Sequence, residues 1–333
     1  MNSSQHRQGY LDSPPTGINA RNCWKIKGGQ GEGSVKFIDI QQGWILDHKN
    51  YSVNVLPATG LNIRSSREHG AAVLGVILMN GKETDAVGIT PKVTGHVIST
   101  WRPSGTLNIP EAISVASEYL SQGDVLLLTI QRYLSAEIAN GLPVEIHEGV
   151  FDAIRSAVDS GIIVIESAGN GEFDLKAGID LDSFELDGRN VFNRQTKDFK
   201  DSGAILVGAA TASIPHKRIS YSNYGSRVDC YAWGEKVLTA GSFPISSGPS
   251  LISITENFCG TSSAAAIIAG AAIAIQSICE ANLGFRLSPH KMREILSNET
   301  YGTLSANGRE VDKIGVMPDL IKIANEEFNC AHV

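Results

Sequence analysis

Residues 150–169 read VFDAIRSAVDSGIIVIESAG. The first twelve place apolar side chains at helical spacing, and Gly161 stands where such a helix would close. The run that follows, from Ile162, is apolar without a break, the pattern of a strand covered on both faces. Upstream, DVLLLTI (124–130) has the same character. A buried strand, a crossover helix and a second buried strand predict a parallel pair with its helix packed on the sheet.

The same alternation extends in both directions. VKFIDI (35–40), KVTGHVIS (92–99) and GAILVGAA (203–210) read as further strands. HGAAVLGVILM (69–79), Pro110–Tyr119 and the Ala-rich run from Ser262 to Glu280 read as helices, and Ser288-Pro289 opens another. The expected fold is α/β: a doubly wound, mostly parallel sheet with helices on both faces, forming one domain over residues 21–333. Residues 1–20 are expected to form a polar N-terminal arm that continues, rich in Gly, Pro and Asn, toward the first strand. The glycine cluster GGQGEGS (28–34) precedes a strand instead of following one, so it is not a dinucleotide-binding fingerprint.

Composition removes several classes of function. The chain has 333 residues, 42% hydrophobic and 19% charged, and a net charge of -7, which disfavours a nucleic-acid partner with its need for a basic face. The most apolar stretch, Ala264–Ile278, is interrupted by Gln276 and Ser277 and is too short to span a bilayer, so no membrane role is expected. MNSSQHRQGYLDSPPTG lacks the apolar core of a secretory signal, which favours a cytoplasmic setting unless a leader has been removed. Five scattered cysteines, odd in number and without a close pair, argue against a zinc site and a disulfide framework. Glu172, Asp174, Asp180, Asp182, Glu185 and Asp187 form an acidic stretch, read as a solvated insertion. A calcium loop is the sharper alternative, although the spacing is not that of an EF-hand.

Four polar residues fall at strand ends or helix starts, where an open α/β sheet presents its functional groups. Asp39 ends the first strand and His69 opens an apolar helix. Asn170 follows Ser167-Ala168-Gly169 at the end of a buried strand, and Ser262 follows Gly260-Thr261 at the start of the longest helix. Singly, each has a structural explanation as a turn or helix cap. Together they supply a hydroxyl nucleophile, an imidazole to take its proton, a carboxylate to orient the imidazole, and a donor for a tetrahedral oxyanion.

The local motifs then become specific. FIDIQQGW (37–44), REHGAAVLGVI (67–77), AVGITPKV (86–93), ESAGNG (166–171), SNYGSRVDCYAWGE (222–235) and FCGTSSAAAIIAGAAI (258–273) resemble, in this order, segments of the subtilase family. The resemblance covers most of residues 18–280. It implies a serine endopeptidase with Asp39, His69 and Ser262 as catalytic triad and Asn170 as oxyanion donor, acting on peptide or protein substrates without a cofactor. It further implies a first subsite between Leu128-Thr129-Ile130-Gln131 and Ser167-Ala168-Gly169, narrowed by the bulk of Gln131. Subtilases commonly carry an N-terminal pro-domain, for which Asp39 leaves little room. The sequence also departs from the pattern: Ala71 replaces the usual Thr after His-Gly, Ala264–Ala266 lack the usual Pro, and Gln41-Gln42 stand where a tight glycine turn is common. These departures leave a catalytically silent subtilase fold, acting as a scaffold, as the rival reading.

Overall fold

The computed structural model describes residues 7–56, 59–133, 140–172, 177–241, 244–245, 248–249, 251–308 and 312–330. Its strands are β1 (Lys36–Gln41), β2 (Asn54–Val55), β3 (Thr94–Ser99), β4 (Val125–Leu128), β5 (Gln131–Arg132), β6 (Asn140–Pro143), β7 (Ile163–Ser167) and β8 (Gly171–Glu172). They continue as β9 (Ile205–Ala210), β10 (Cys230–Trp233), β11 (Val237–Ala240), β12 (Pro244–Ile245), β13 (Gly248–Pro249), β14 (Ile254–Phe258), β15 (Gly302–Leu304) and β16 (Val316–Pro318). The helices are α1 (Ala20–Cys23), α2 (Arg67–Leu78), α3 (Ile109–Tyr119), α4 (Glu148–Asp159), α5 (Thr261–Leu283), α6 (Pro289–Ser297) and α7 (Leu320–Phe328).

Among the described residues, nine strands form one sheet in the order β2-β3-β1-β4-β7-β9-β10-β16-β15. Every neighbouring pair is parallel except β15 with β16 at the edge. This is the doubly wound α/β sheet expected from the apolar runs. The alternation of side chains along each strand sorts them into two cores. Phe37, Val125, Leu127, Ile163 and Ile165 join a large cluster with α2 and α5. Ile38, Ile40, Leu126, Leu128 and Val164 join a second cluster with α3 and α4. Helices therefore cover both faces.

Chain order reverses at β1. The chain leaves it for β3 on one side and later returns to β4 on the other. In open α/β sheets such a switch point leaves a crevice beyond the carboxyl ends of the strands. Asp39 and Gln41 lie at that end of β1, two residues apart and on the face of Phe37, hence toward α2 and α5.

Two expectations change. The N-terminal segment is not an extended arm: Gln8, Tyr10, Leu11 and Ile18 are buried, the Tyr10 hydroxyl donates to Leu238 O at 3.0 Å, and Trp233 Nε1 donates to Thr16 O at 2.8 Å. Three large apolar side chains suffice to dock the segment, but they are too sparse to form a periodic signal. Helix α5 is also longer than the apolar stretch suggested, running 23 residues. By length and composition it could cross a membrane, yet its most apolar window is wholly buried in the protein.

Candidate active site

Helix α2 begins immediately before the catalytic candidate it carries, with His69 in its first turn and Gly70 to Leu78 buried behind it. Helix α5 begins at Thr261, so Ser262 occupies its first turn, where backbone N–H groups have no intrahelical acceptor. Both helices pack on the sheet face that carries Asp39. The fold thus brings all three triad candidates to one face of the sheet.

The carboxylate and imidazole are joined, though not to each other. Asp39 is fully buried, and its Oδ2 accepts from Trp44 Nε1 at 2.6 Å and from Gln41 Nε2 at 2.5 Å. His69 Nδ1 lies 2.5 Å from Gln41 Oε1. Asp39 Oδ1 is buried without a partner. The amide of Gln41 therefore stands between the two groups. Burial pushes the Asp39 carboxyl up to about 7, against the pull of the Trp44 and Gln41 hydrogen bonds. Crowding by the protein pushes His69 down, toward about 4, while the exposure of its ring to solvent limits that depression. Among the described residues no neighbouring charge raises His69. On its other side the ring meets Phe258 edge-on, with centroids 5.7 Å apart.

The oxyanion half is assembled separately. Asn170 Oδ1 accepts from the Thr261 backbone N–H at 2.9 Å and from Thr261 Oγ1 at 3.0 Å. With its oxygen so engaged, the amide keeps its Nδ2 hydrogens to donate. Gly169, just before it, has φ +88, and a Cβ there would collide with Gly141 O, so the tight approach of β6 requires glycine. Asn223 Nδ2 ties the two segments by donating to Gly141 O and Ala168 O at 2.8 and 2.7 Å. No hydrogen bond joins Ser262 Oγ to His69; the two halves meet through α2, α5 and the Phe258 contact.

The expected first-subsite segments are adjacent, since β4 and β7 pair with Leu128 opposite Glu166. Thr129, Ser167 and Ala168 are buried, and Ser167 Oγ donates to Ile130 O at 3.3 Å. Gln131 is half-buried instead of turned to solvent. Its Oε1 accepts from the Asn170 backbone N–H at 3.0 Å and its Nε2 donates to Tyr133 Oη at 2.5 Å. Strand β6 lies between β5 and β8, so backbone fills part of the space between the two segments.

Elsewhere in the acidic stretch, Asp182 accepts from Ser226 and from Lys313 Nζ at 3.1 Å. Asp174 lies outside the described residues. Among the described residues no group of three His, Cys, Asp or Glu side chains is arranged to hold a metal ion. Sequence reasoning treated Gln41 only as a departure from a turn pattern and gave Trp44 no role. Their signal was spacing: Gln41 shares a strand face with Asp39, and an indole three residues later can reach back.

Comparison with known proteins extends this geometry. The sequence model of the subtilase family (Peptidase_S8) matches residues 45–316, a span that contains His69, Asn170 and Ser262 and begins after Asp39. Alkaline protease 1 of Emericella nidulans is 26% identical over 214 residues, 63% of this chain and 45% of that protein. The match thus spans less than half of that relative. Among solved structures, the prenylagaramide maturation protease PagA aligns with a TM-score of 0.62 at 16% identity, covering 91% of this chain and 96% of its own. A protease of Pseudoalteromonas arctica aligns with a TM-score of 0.62 at 18% identity, covering 96% and 97%. A cold-adapted subtilisin-like serine proteinase gives 0.56 at 18%, covering 87% and 88%. At such identities these likenesses establish the fold alone, whereas the family match takes in most of the sequence: the chain belongs to the subtilase family.

Proposed function

We propose that this chain is a serine endopeptidase that hydrolyses peptide bonds of peptide or protein substrates through an acyl-enzyme. The observation that carries the reading is the 2.5 Å contact between His69 Nδ1 and Gln41 Oε1. Gln41 Oε1 can only accept, so Nδ1 carries the proton and Nε2 is left with a lone pair for the Ser262 hydroxyl. Ser262 Oγ attacks the scissile carbonyl while His69 Nε2 takes its proton. The carbonyl oxygen becomes an oxyanion held by Asn170 Nδ2 and the Ser262 backbone N–H. His69 then returns the proton to the leaving amine, and water repeats the sequence to release the acid. Asp39 acts behind Gln41, on the orientation of the imidazole.

A silent scaffold is the second reading, favoured by the missing Ser262–His69 hydrogen bond and by the absence of a direct carboxylate on His69. Apo sites often tighten only with substrate, so that geometry does not exclude turnover. Fluorophosphonate labelling followed by peptide mapping separates the two. The expected result is a label on Ser262 that disappears in Ser262→Ala, with unchanged circular dichroism. A folded wild-type chain that takes up no label supports the scaffold.

A further inference from the structure

The amide between Asp39 and His69 has a defined polarity. Asp39 Oδ2 can only accept while it is ionised, so the nitrogen of Gln41 must face it, and the oxygen must face His69. A direct triad would instead place the carboxylate on Nδ1. Here neither carboxylate oxygen bonds His69: Oδ2 serves Gln41 and Trp44, and Oδ1 is buried with no partner. We propose that Gln41 is a positioning residue of the active site, a neutral relay that fixes the tautomer and orientation of His69 on behalf of Asp39. The proposal rests on His69 serving as the base for Ser262.

Three features support it. Asp39 and Gln41 are two apart on one strand, so the pleat aims both at α2. Trp44, fully buried, donates to the same oxygen that Gln41 uses, so two donors hold Oδ2 in place. The charged group nearest the imidazole along this chain of bonds is Asp39, one amide away, while Phe258 covers another side of the ring without charge. Because a carbonyl dipole stabilises an imidazolium less than a carboxylate in contact does, His69 stays neutral to lower pH than in a direct triad.

The test exchanges the two groups. In the double variant Asp39→Asn, Gln41→Glu the hydrogen-bond chain can persist: the amide introduced at position 39 donates to the carboxylate introduced at position 41, and that carboxylate now touches Nδ1. His69 is titrated by NMR in the Ser262→Ala background, its resonance assigned by His69→Gln. The exchange is expected to raise the midpoint of His69 by about one unit or more. If Asp39 reaches His69 directly, the same exchange removes the charge and the midpoint falls or stays, which overturns the proposal. Gln41→Ala in the otherwise intact chain should lower kcat roughly 10²-fold with KM nearly unchanged. A Gln41→Ala enzyme within about twofold of wild type overturns the proposal as well. The titration needs no turnover, so a chain that shows the upward shift but fails to label with fluorophosphonate would keep the Gln41 contact that fixes His69 and overturn its catalytic use together with the peptidase reading.

Discussion

Asp39 is an ionisable group placed where ionisation is costly. It lies inside the protein with one oxygen unpaired, and burial raises its carboxyl to about 7. A carboxyl whose folded value is raised binds more protons than the unfolded chain between its ordinary value and the raised one. Stability therefore declines as pH climbs from about 4 to about 7 and is level above that window. Asp39→Asn keeps an oxygen for Trp44 and Gln41 and removes the charge. It should be more stable than wild type at pH 8, by about 1–2 kcal/mol once the unpaired amide hydrogens are counted, and less stable near pH 4, where the wild-type carboxyl is neutral and only the cost of those hydrogens remains. Urea denaturation at both pH values measures this; a variant less stable at pH 8 would show that the buried charge is better solvated than its surroundings imply. Residue type and strand position made Asp39 legible in the sequence. Gln41 was visible as a departure, but its role depends on where α2 brings His69, and no local pattern encodes that distance.

At the scale of elements, the position of His69 depends on how closely α2 approaches β11. Gly75 permits the contact: a Cβ there would collide with Thr239 Oγ1 and lie 2.5 Å from Ala240 N. Thr239 Oγ1 also donates to Ala72 O at 2.6 Å, fastening strand to helix. Alanine favours a helix over glycine by up to about 1 kcal/mol, so a purely local effect would stabilise. We expect the opposite. Gly75→Ala should cost about 1–3 kcal/mol net through overpacking against backbone and slow fluorophosphonate labelling at Ser262. A stabilised variant with unchanged labelling would mean that α2 can retreat from β11 without disturbing the site. The helices themselves were readable because their apolar spacing and caps are local. Ser288 caps α6 just before Pro289, where the sequence opened that helix, and Asn108 caps α3, whose first turn holds Pro110. Strands β10, β11, β14 and β16 went unread, since each is only three to five residues long and its pairing partner is distant in sequence.

Across the whole molecule, a buried ionic cluster joins parts of the chain that share no local signal. Arg227 is fully buried and bonds Glu145 through Nε at 2.7 Å and Nη2 at 2.9 Å, and Asp229 through Nη1 at 2.9 Å. Arg293 of α6 and Arg194 reach the other oxygen of Asp229 at 2.8 and 2.7 Å. Burial alone would raise the Asp229 carboxyl, but Arg293, Arg227 and Arg194 outweigh it and hold the carboxyl below its ordinary value. That contribution is complete above the ordinary aspartate range and is lost as pH falls through the lowered value. Arg227→Met would leave Glu145 and Asp229 with buried charge facing fewer partners. A loss of about 3–5 kcal/mol is expected at pH 7, read from denaturant midpoints. A loss under about 1 kcal/mol would mean that Arg293 and Arg194 suffice to neutralise the cluster.

The sequence by itself determined the layer architecture and marked out the candidate reactive groups. Apolar runs specify buried strands, helical spacing specifies what covers them, and a Ser, a His, an Asp and an Asn at element ends belong to one chemistry. Those properties are written in neighbouring residues. Only the tertiary structure decided that Gln41 stands between Asp39 and His69, that Thr261 fixes the amide of Asn170, and that β6 occupies the space beside Gln131. Each depends on segments between about 12 and 91 residues apart meeting within hydrogen-bond reach. Such meetings are set by how helices seat on a twisted sheet, a packing of the whole core that no single stretch of sequence contains.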